Sequence, residues 1–278
     1  MALGRGATGY GLAERLLAER LSGLMTVPDV PPKRGLAANG HSRARDLEAR
    51  RRLAEARRAF AEGFRTALAA GEDRLGDLFC DMPVPGCGFA IEGAAMGSTL
   101  FDEFSGRRER GRLSRLRTGR SVAELFLIGL GAGMAGARLG RPFEWVPVGI
   151  GSVEHRAVAD GYGFHHAFFS ARRFLGRGFP VQPGRWTADY DVGLGRGLLF
   201  AAEGDPEAIV AIVDKMPEDR RGNIWRGVGT ASAFTGAGVR MSRGTEWGRL
   251  DTDLRAGVKA GLQMASRLAR ETKGKTVA

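Results

Sequence analysis

Apolar positions along this chain recur at helical spacing almost throughout. Residues 11–24 place Leu12, Leu16, Leu17 and Leu21 on one stripe, which predicts a short amphipathic helix. The Pro- and Gly-rich stretch VPDVPPKRGLAANG then breaks it. From about Arg45 to Ala70, Leu47, Leu53, Phe60, Phe64 and Leu68 are spaced for one buried face, and Gly71 is a natural stop. After the loop CDMPVPGCG, IEGAAMGSTLFDEF reads as a compact helix and RRERGRLSRLRTGR as a basic connection. SVAELFLIGLGAGMAGARL reads as a helix of small residues with Ser121 and Glu124 in capping-box spacing, ended by Pro142. Further helices are predicted in HRAVADGYGFHHAFFSARRFL, in DVGLGRGLLFAA, from Pro206 to Lys215 behind an Asp205 cap, in NIWRGVGTASAFTGAG, and from Leu250 to Ala269. Alternating β-branched residues are nearly absent, so the predicted fold is mainly α, with any strands few and short.

The pattern of glycines and aromatics running from Arg58 to Gly140 returns about 100 residues later, from Gly161 to Gly238. Phe60 and Phe64 pair with Phe164 and Phe168; Gly93, Ala95 and Asp102 with Gly195, Gly197 and Asp205; Gly129, Gly131 and Ala135 with Gly227, Gly229 and Ala233. This predicts two pseudo-repeated helical units packed about a pseudo-twofold axis around a shared cavity. The expected organisation is an N-terminal helix and linker (1–44), a first repeat (45–150), and a second repeat with the C-terminal helix (151–278), the two repeats forming one globular unit. Glycine segments 129–136 and 227–236 are expected to face one another, or equivalent helices, at close range, since small residues let helix axes approach.

Composition is that of a soluble globular chain: 278 residues, 43% hydrophobic and 26% charged. The 42 Lys and Arg against 31 Asp and Glu leave a net charge of +11, which suggests an anionic partner. The aromatics sit inside apolar motifs instead of alternating with Arg on an exposed face, which argues against nucleic acid. The cluster Arg107, Arg108, Arg110, Arg112, Arg115, Arg117 and Arg120 has no counterpart of similar charge in the corresponding stretch of the second repeat, PEDRRGN, which carries only Arg220 and Arg221 beside two acids, so it reads either as a solvated loop or as a docking patch for an acidic carrier domain. Cys80 and Cys87 are too few for a thiolate zinc site or a disulfide framework and are expected as reduced, packed thiols. Neither a signal peptide nor an apolar run of membrane-spanning length is evident, and a cytoplasmic location is expected.

Four features carry candidate chemistry. Gly131, Gly133 and Gly136 form G-x-G-x-x-G, but too little chain precedes Pro142 for a crossover helix, so close helix packing is preferred to a dinucleotide site and no cofactor is expected. His165 and His166 are adjacent, and only one can point with Phe164 and Phe168 toward the core; His165 is expected there, as an acid–base group or as a structural histidine. Without Glu-x-x-His or His-x-x-x-His spacing, no metal site is expected. Glu92 and Asp191 lie in Gly- and Ala-rich apolar stretches, where a carboxylate must be paired or protonated, with Arg196 and His165 as the expected partners. Phe164, Phe168, Phe169, Tyr190, Phe200, Trp225 and Phe234 either fill the core or line an apolar ligand tunnel.

The segments FAIEGAAMGSTLFDE, DGYGFHHAFF, YDVGLGRGLLF and GDPEAIVAIVDKMPEDRRGNIWRGVGTASAFTG resemble the family known as domain of unknown function number 1702, which includes the UnbL-type enediyne biosynthesis proteins. The resemblance runs from about Phe60 to Gly238 and implies an accessory role beside an iterative polyketide synthase. The expected function is to bind a long apolar polyene between the repeats and assist its conversion toward an enediyne core, with His165, Glu92, Asp191 and Arg196 as the polar groups of the tunnel. The alternatives are a non-catalytic module that binds or delivers the polyene or another lipid, and a flavin or nicotinamide oxidoreductase resting on the glycine motif alone.

Overall fold

The computed structural model describes residues 12–24, 44–70, 86–107, 111–171, 184–237 and 248–273. Among them there is no strand. The helices are α1 (Leu12–Leu24), α2 (Ala44–Ala69), α3 (Gly86–Ser105), α4 (Arg112–Arg117), α5 (Val122–Arg138), α6 (His155–Phe168), α7 (Thr187–Ala201), α8 (Pro206–Val213), α9 (Glu218–Thr235) and α10 (Gly248–Lys273). The mainly helical class is as expected. The Ser121–Glu124 capping box forms, and Asp205 caps α8 by accepting from the backbone N–H groups of Glu207 and Ala208. Boundaries differ in two informative places. Helix α3 begins at Gly86, taking in the last three residues of the expected loop, and the basic connection contains the short helix α4, whose first N–H groups are accepted by the Asp102 carboxylate. Cys87 is buried in α3; Cys80 and the linker at 25–43 lie outside the described residues.

The long helices pack in chain order, α2 on α3, α3 on α5, α5 on α6, α6 on α7, α7 on α9 and α9 on α10. Their relative direction follows from backbone contacts. Gly93 and Gly97 lie against Phe60 and Phe64; Gly193 and Gly197 lie against Asp160 and Phe164; Gly257 and Gly261 lie against Arg226 and Thr230. In every case both partners advance four residues together, which only parallel helices do. At α5–α6, Gly129 against Glu154 and Gly133 against Val158 advance the same way. Neighbouring long helices are therefore parallel, and the chain must return between them, in part through α4 and α8.

The glycines make this possible. In four G-x-G pairs the first glycine faces the preceding helix and the second faces the following one: Gly131 lies against Glu92 and Gly133 against Val158, Gly161 against Leu130 and Gly163 against Tyr190, Gly193 against Asp160 and Gly195 against Ile224, Gly227 against Val192 and Gly229 against Leu254. A Cβ at any of these positions would collide with a neighbouring backbone carbonyl. The glycine segments 129–136 and 227–236, expected to face one another or equivalent helices, each face the helix before and the helix after at close range. The pattern recurs in α5, α6, α7 and α9. Gly131, Gly133 and Gly136 are all interior to α5, so they form packing contacts and not a phosphate loop.

The array curls until α10 meets α5, and Phe234 of α9 and Leu268 of α10 rest against Gly88 of α3. Helices α3, α5, α6, α7, α9 and α10 so enclose a lumen. Its end at the C-termini of α6 and α7 is closed by α2. There Phe60 packs on Phe169 at 6.1 Å, Arg50 pairs with Glu203 at 3.6 Å, and Leu53 meets Gly204.

The arginine cluster is largely built into the structure. Arg112 is fully buried, stacks on Phe101 at 3.7 Å and donates to the carbonyl oxygens of Ala67 and Leu68 at the end of α2. Arg117 pairs with Glu154 at 2.7 Å, Arg120 with Glu124 at 2.8 Å and Arg107 with Glu14 at 2.7 Å. Arg108 and Arg110 lie outside the described residues. Arg112, Arg117 and Arg120 thus serve to join α4 to its neighbours.

Candidate functional site

The lumen holds a cavity of about 470 Å³. Because its helices are parallel, residues at matching heights form layers. At the mouth are Arg156 of α6, Asp189 of α7, and Asn223 and Arg226 of α9; Arg156 pairs with Asp189 at 2.9 Å and Arg226 with Asp253 at 3.4 Å. The walls are apolar, formed by Phe126, Leu127 and Leu130 of α5, Val192 of α7 and Met264 of α10. One helical turn or two deeper lie Asp160, Arg196 and Glu92, and below them the rings of Phe164, Phe200 and Phe234.

Arg196 binds both acids. Its Nη1 donates to Asp160 Oδ1 at 2.8 Å and its Nη2 to Glu92 Oε1 at 2.9 Å, while its guanidinium carbon stands 5.4 Å from the centre of the Phe164 ring. All three side chains are buried, Glu92 completely. Two carboxylates against one guanidinium would leave an uncompensated negative charge in a low-dielectric site. Burial, opposed by Arg196 and reinforced by the like charge of Asp160, pushes Glu92 up to about 7. Burial also pushes Asp160 up to about 6, again against the pull of Arg196. Glu92 borders the cavity, and its Oε2 is fully buried with no hydrogen-bond partner among the described residues. A carboxyl group that exchanges its proton near neutral pH, with one unpartnered oxygen at the edge of an apolar chamber, can act as a general acid or base.

The sequence-derived candidates separate in space. Glu92 and Arg196 meet as expected. Asp160 was missed, although an acid between Val158 and Gly161 in an apolar run carries the same signal that singled out Glu92. Asp191 does not join them: its two oxygens accept from Arg220 Nε, each at 3.1 Å, on another side of α7. His165 is 3% exposed and stacks on Phe169 at 5.2 Å, but it does not line the lumen. Neither ring nitrogen has a hydrogen-bond partner among the described residues, and burial, helped by His166 and Arg138, lowers its pKa to about 3. The neighbouring His166 is half-buried, with Nδ1 2.8 Å from the Tyr190 hydroxyl.

Of the aromatics expected along a tunnel, Phe234 lines the cavity. Phe164, Phe168, Phe169 and Phe200 instead gather with Phe60 and Phe89 around a crevice of only about 10 Å³, so they fill the closed end. Tyr190 and Trp225 are buried away from the chamber. The structure assigns no second tunnel to them. No helix among the described residues is long and apolar enough to cross a membrane.

Neither a curated protein nor a solved structure matches the chain. The family described as "Protein of unknown function (DUF1702)" matches residues 24–277, a span that includes every helix of the lumen. On that match, the chain belongs to the DUF1702 family.

Proposed function

We propose that the lumen binds one elongated, apolar, conjugated molecule and that Glu92 exchanges a proton with it. The observation that carries this reading is the fully buried Glu92, with one oxygen held by Arg196 and the other unpartnered at the deep end of an apolar chamber. The chamber volume suits a single small ligand, since such pockets span roughly 300–1,000 Å³. Asp160 and Arg196 hold Glu92 in place and set its proton affinity. A proton shift along a conjugated chain needs one such group: the acid gives a proton to one carbon and, as carboxylate, takes one from another, with no change in oxidation state.

The resemblance to UnbL-type proteins supports a linear polyene on the way to an enediyne core as the ligand, in the cytoplasm beside the synthase that makes it. The second reading, a module that binds and delivers the polyene unchanged, is favoured by how fully Arg196 is occupied, since an ion trio of this kind also serves to fix the helices.

Native mass spectrometry of protein purified from a polyene-producing host reports whether a ligand is bound, and the absorption spectrum of the released ligand separates the readings, because a proton shift changes the conjugation and not the mass. Conversion predicts that wild-type protein yields a product absent from Glu92→Gln, which retains unchanged polyene. Delivery predicts the same bound polyene in both. Purification of both proteins without any conjugated ligand contradicts the proposal.

A further inference from the structure

The deep end of the lumen is a stop made of one movable ring. Phe234 lines the cavity on one side, and on the other it packs on Phe89 at 5.3 Å, with its tip resting against the backbone at Gly88. Phe89 in turn meets Phe200 at 5.9 Å, and Phe200 meets Phe164 at 5.5 Å. This aromatic layer leaves a crevice of about 10 Å³ below it, against about 470 Å³ above it. Phe234, Phe89, Phe200 and Phe164 are packed ring on ring, so ring volume separates the chamber from the closed end of the bundle, where Arg57 borders the crevice. At the other end the mouth carries Asn223 and the ion pairs Arg156–Asp189 and Arg226–Asp253. A molecule with one apolar and one polar end therefore fits in a single sense, tail first.

We propose that Phe234 is a length gauge: the ligand enters by its apolar end, its anionic or otherwise polar end stays at the arginines of the mouth, and the Phe234 ring sets how many carbons the lumen accepts. This inference rests on the ligand-binding reading above and adds orientation and chain length to it. Val192, halfway along the wall between Asp189 and Arg196, offers the opposite control, because enlarging it shortens the space above the stop.

The test uses cis-parinaric acid, a fluorescent conjugated tetraene carboxylate, displaced by saturated n-alkyl carboxylates of about 8 to 20 carbons. Wild type should show a sharp upper cut-off in chain length. In Phe234→Ala the cut-off should move up by about four methylenes, the volume of the ring removed, with at least about tenfold tighter binding of the first chain that wild type rejects. Val192→Phe should move it down. Circular dichroism and melting establish that each variant is folded, and Phe234→Leu carries the lengthening arm if Phe234→Ala does not fold. A cut-off that neither Phe234 variant moves overturns the gauge while leaving ligand binding intact. Failure of every protein, wild type included, to bind the probe or any carboxylate overturns both the gauge and the reading beneath it.

Discussion

Arg196 on α7 and Glu92 on α3 are 104 residues apart in sequence, yet a hydrogen bond of 2.9 Å joins them in the interior, with Asp160 of α6 completing the group. Three helices are tied at one height by a single guanidinium. Arg196→Leu removes the only positive charge in that group and strands two buried carboxylates. It should cost about 3–5 kcal/mol at pH 8 and clearly less at pH 5, where both acids are protonated. Urea unfolding at the two pH values measures this, and an equal loss at both would show that the carboxylates are not jointly ionised against Arg196.

Glu92 makes the fold less stable as pH rises. Its folded pKa of about 7 lies above its ordinary value of 4.5, so the native state holds a proton that the unfolded chain releases. The contribution is fully present below 4.5 and lost as pH climbs through 7. Glu92→Gln still offers an oxygen to Arg196 but does not titrate. Its stability should fall by about 2–3 kcal/mol less than that of wild type between about pH 4.5 and 8. Asp160 contributes a drop of the same sign, which remains in the variant. Parallel stability profiles for the two proteins would contradict the assignment.

Gly133→Ala places a methyl group against the Val158 carbonyl at the α5–α6 crossing. The helices must separate, and a loss of about 1–3 kcal/mol or more is expected in thermal or denaturant unfolding. Gly23→Ala on α1, where a Cβ meets nothing, is the control and should be neutral or stabilising by up to about 1 kcal/mol. Equal behaviour of the two would remove close approach as the reason for these glycines.

His165 is buried with neither ring nitrogen satisfied among the described residues. Replacing an unpaired polar group by an apolar one of similar size relieves its desolvation, so His165→Leu should leave stability unchanged or raise it by about 1 kcal/mol. It should also blunt acid unfolding below about pH 6.5, because the depressed pKa means that the native state refuses a proton the unfolded chain accepts. A loss of several kcal/mol would point instead to an essential hydrogen bond.

Local chemistry made much of this legible in advance. Helical spacing of Leu53, Phe60, Phe64 and Leu68 placed α2, the Ser121–Glu124 box placed the start of α5, and the cost of a carboxylate in an apolar run marked Glu92 and its need for Arg196. What failed were distinctions that depend on which face of a helix meets which neighbour. Asp191 and Asp160 carry similar sequence signals, but a helical residue rotates by about 100° from the next, and Asp191 turns to Arg220 while Asp160 turns inward. Arg112 looks like any other arginine of a basic segment until Phe101 and the end of α2 are folded around it. The parallel array itself was hidden because helix direction is decided by the return segments, whose composition says nothing of where they lead. The glycine pairs are visible in sequence, but which neighbour each glycine meets depends on the face it occupies.

The account stands most directly on the proton held by Glu92, which infrared difference spectroscopy reads without any knowledge of the ligand. The carbonyl stretch of a protonated carboxylic acid, taken as wild type minus Glu92→Gln and followed between about pH 4 and 9, isolates this one group. The structure predicts a band that disappears with a midpoint of about 7. A midpoint near the ordinary 4.5, or no band at all at pH 6, would mean that Glu92 is an ionised structural partner of Arg196 and that the lumen has no acid to offer.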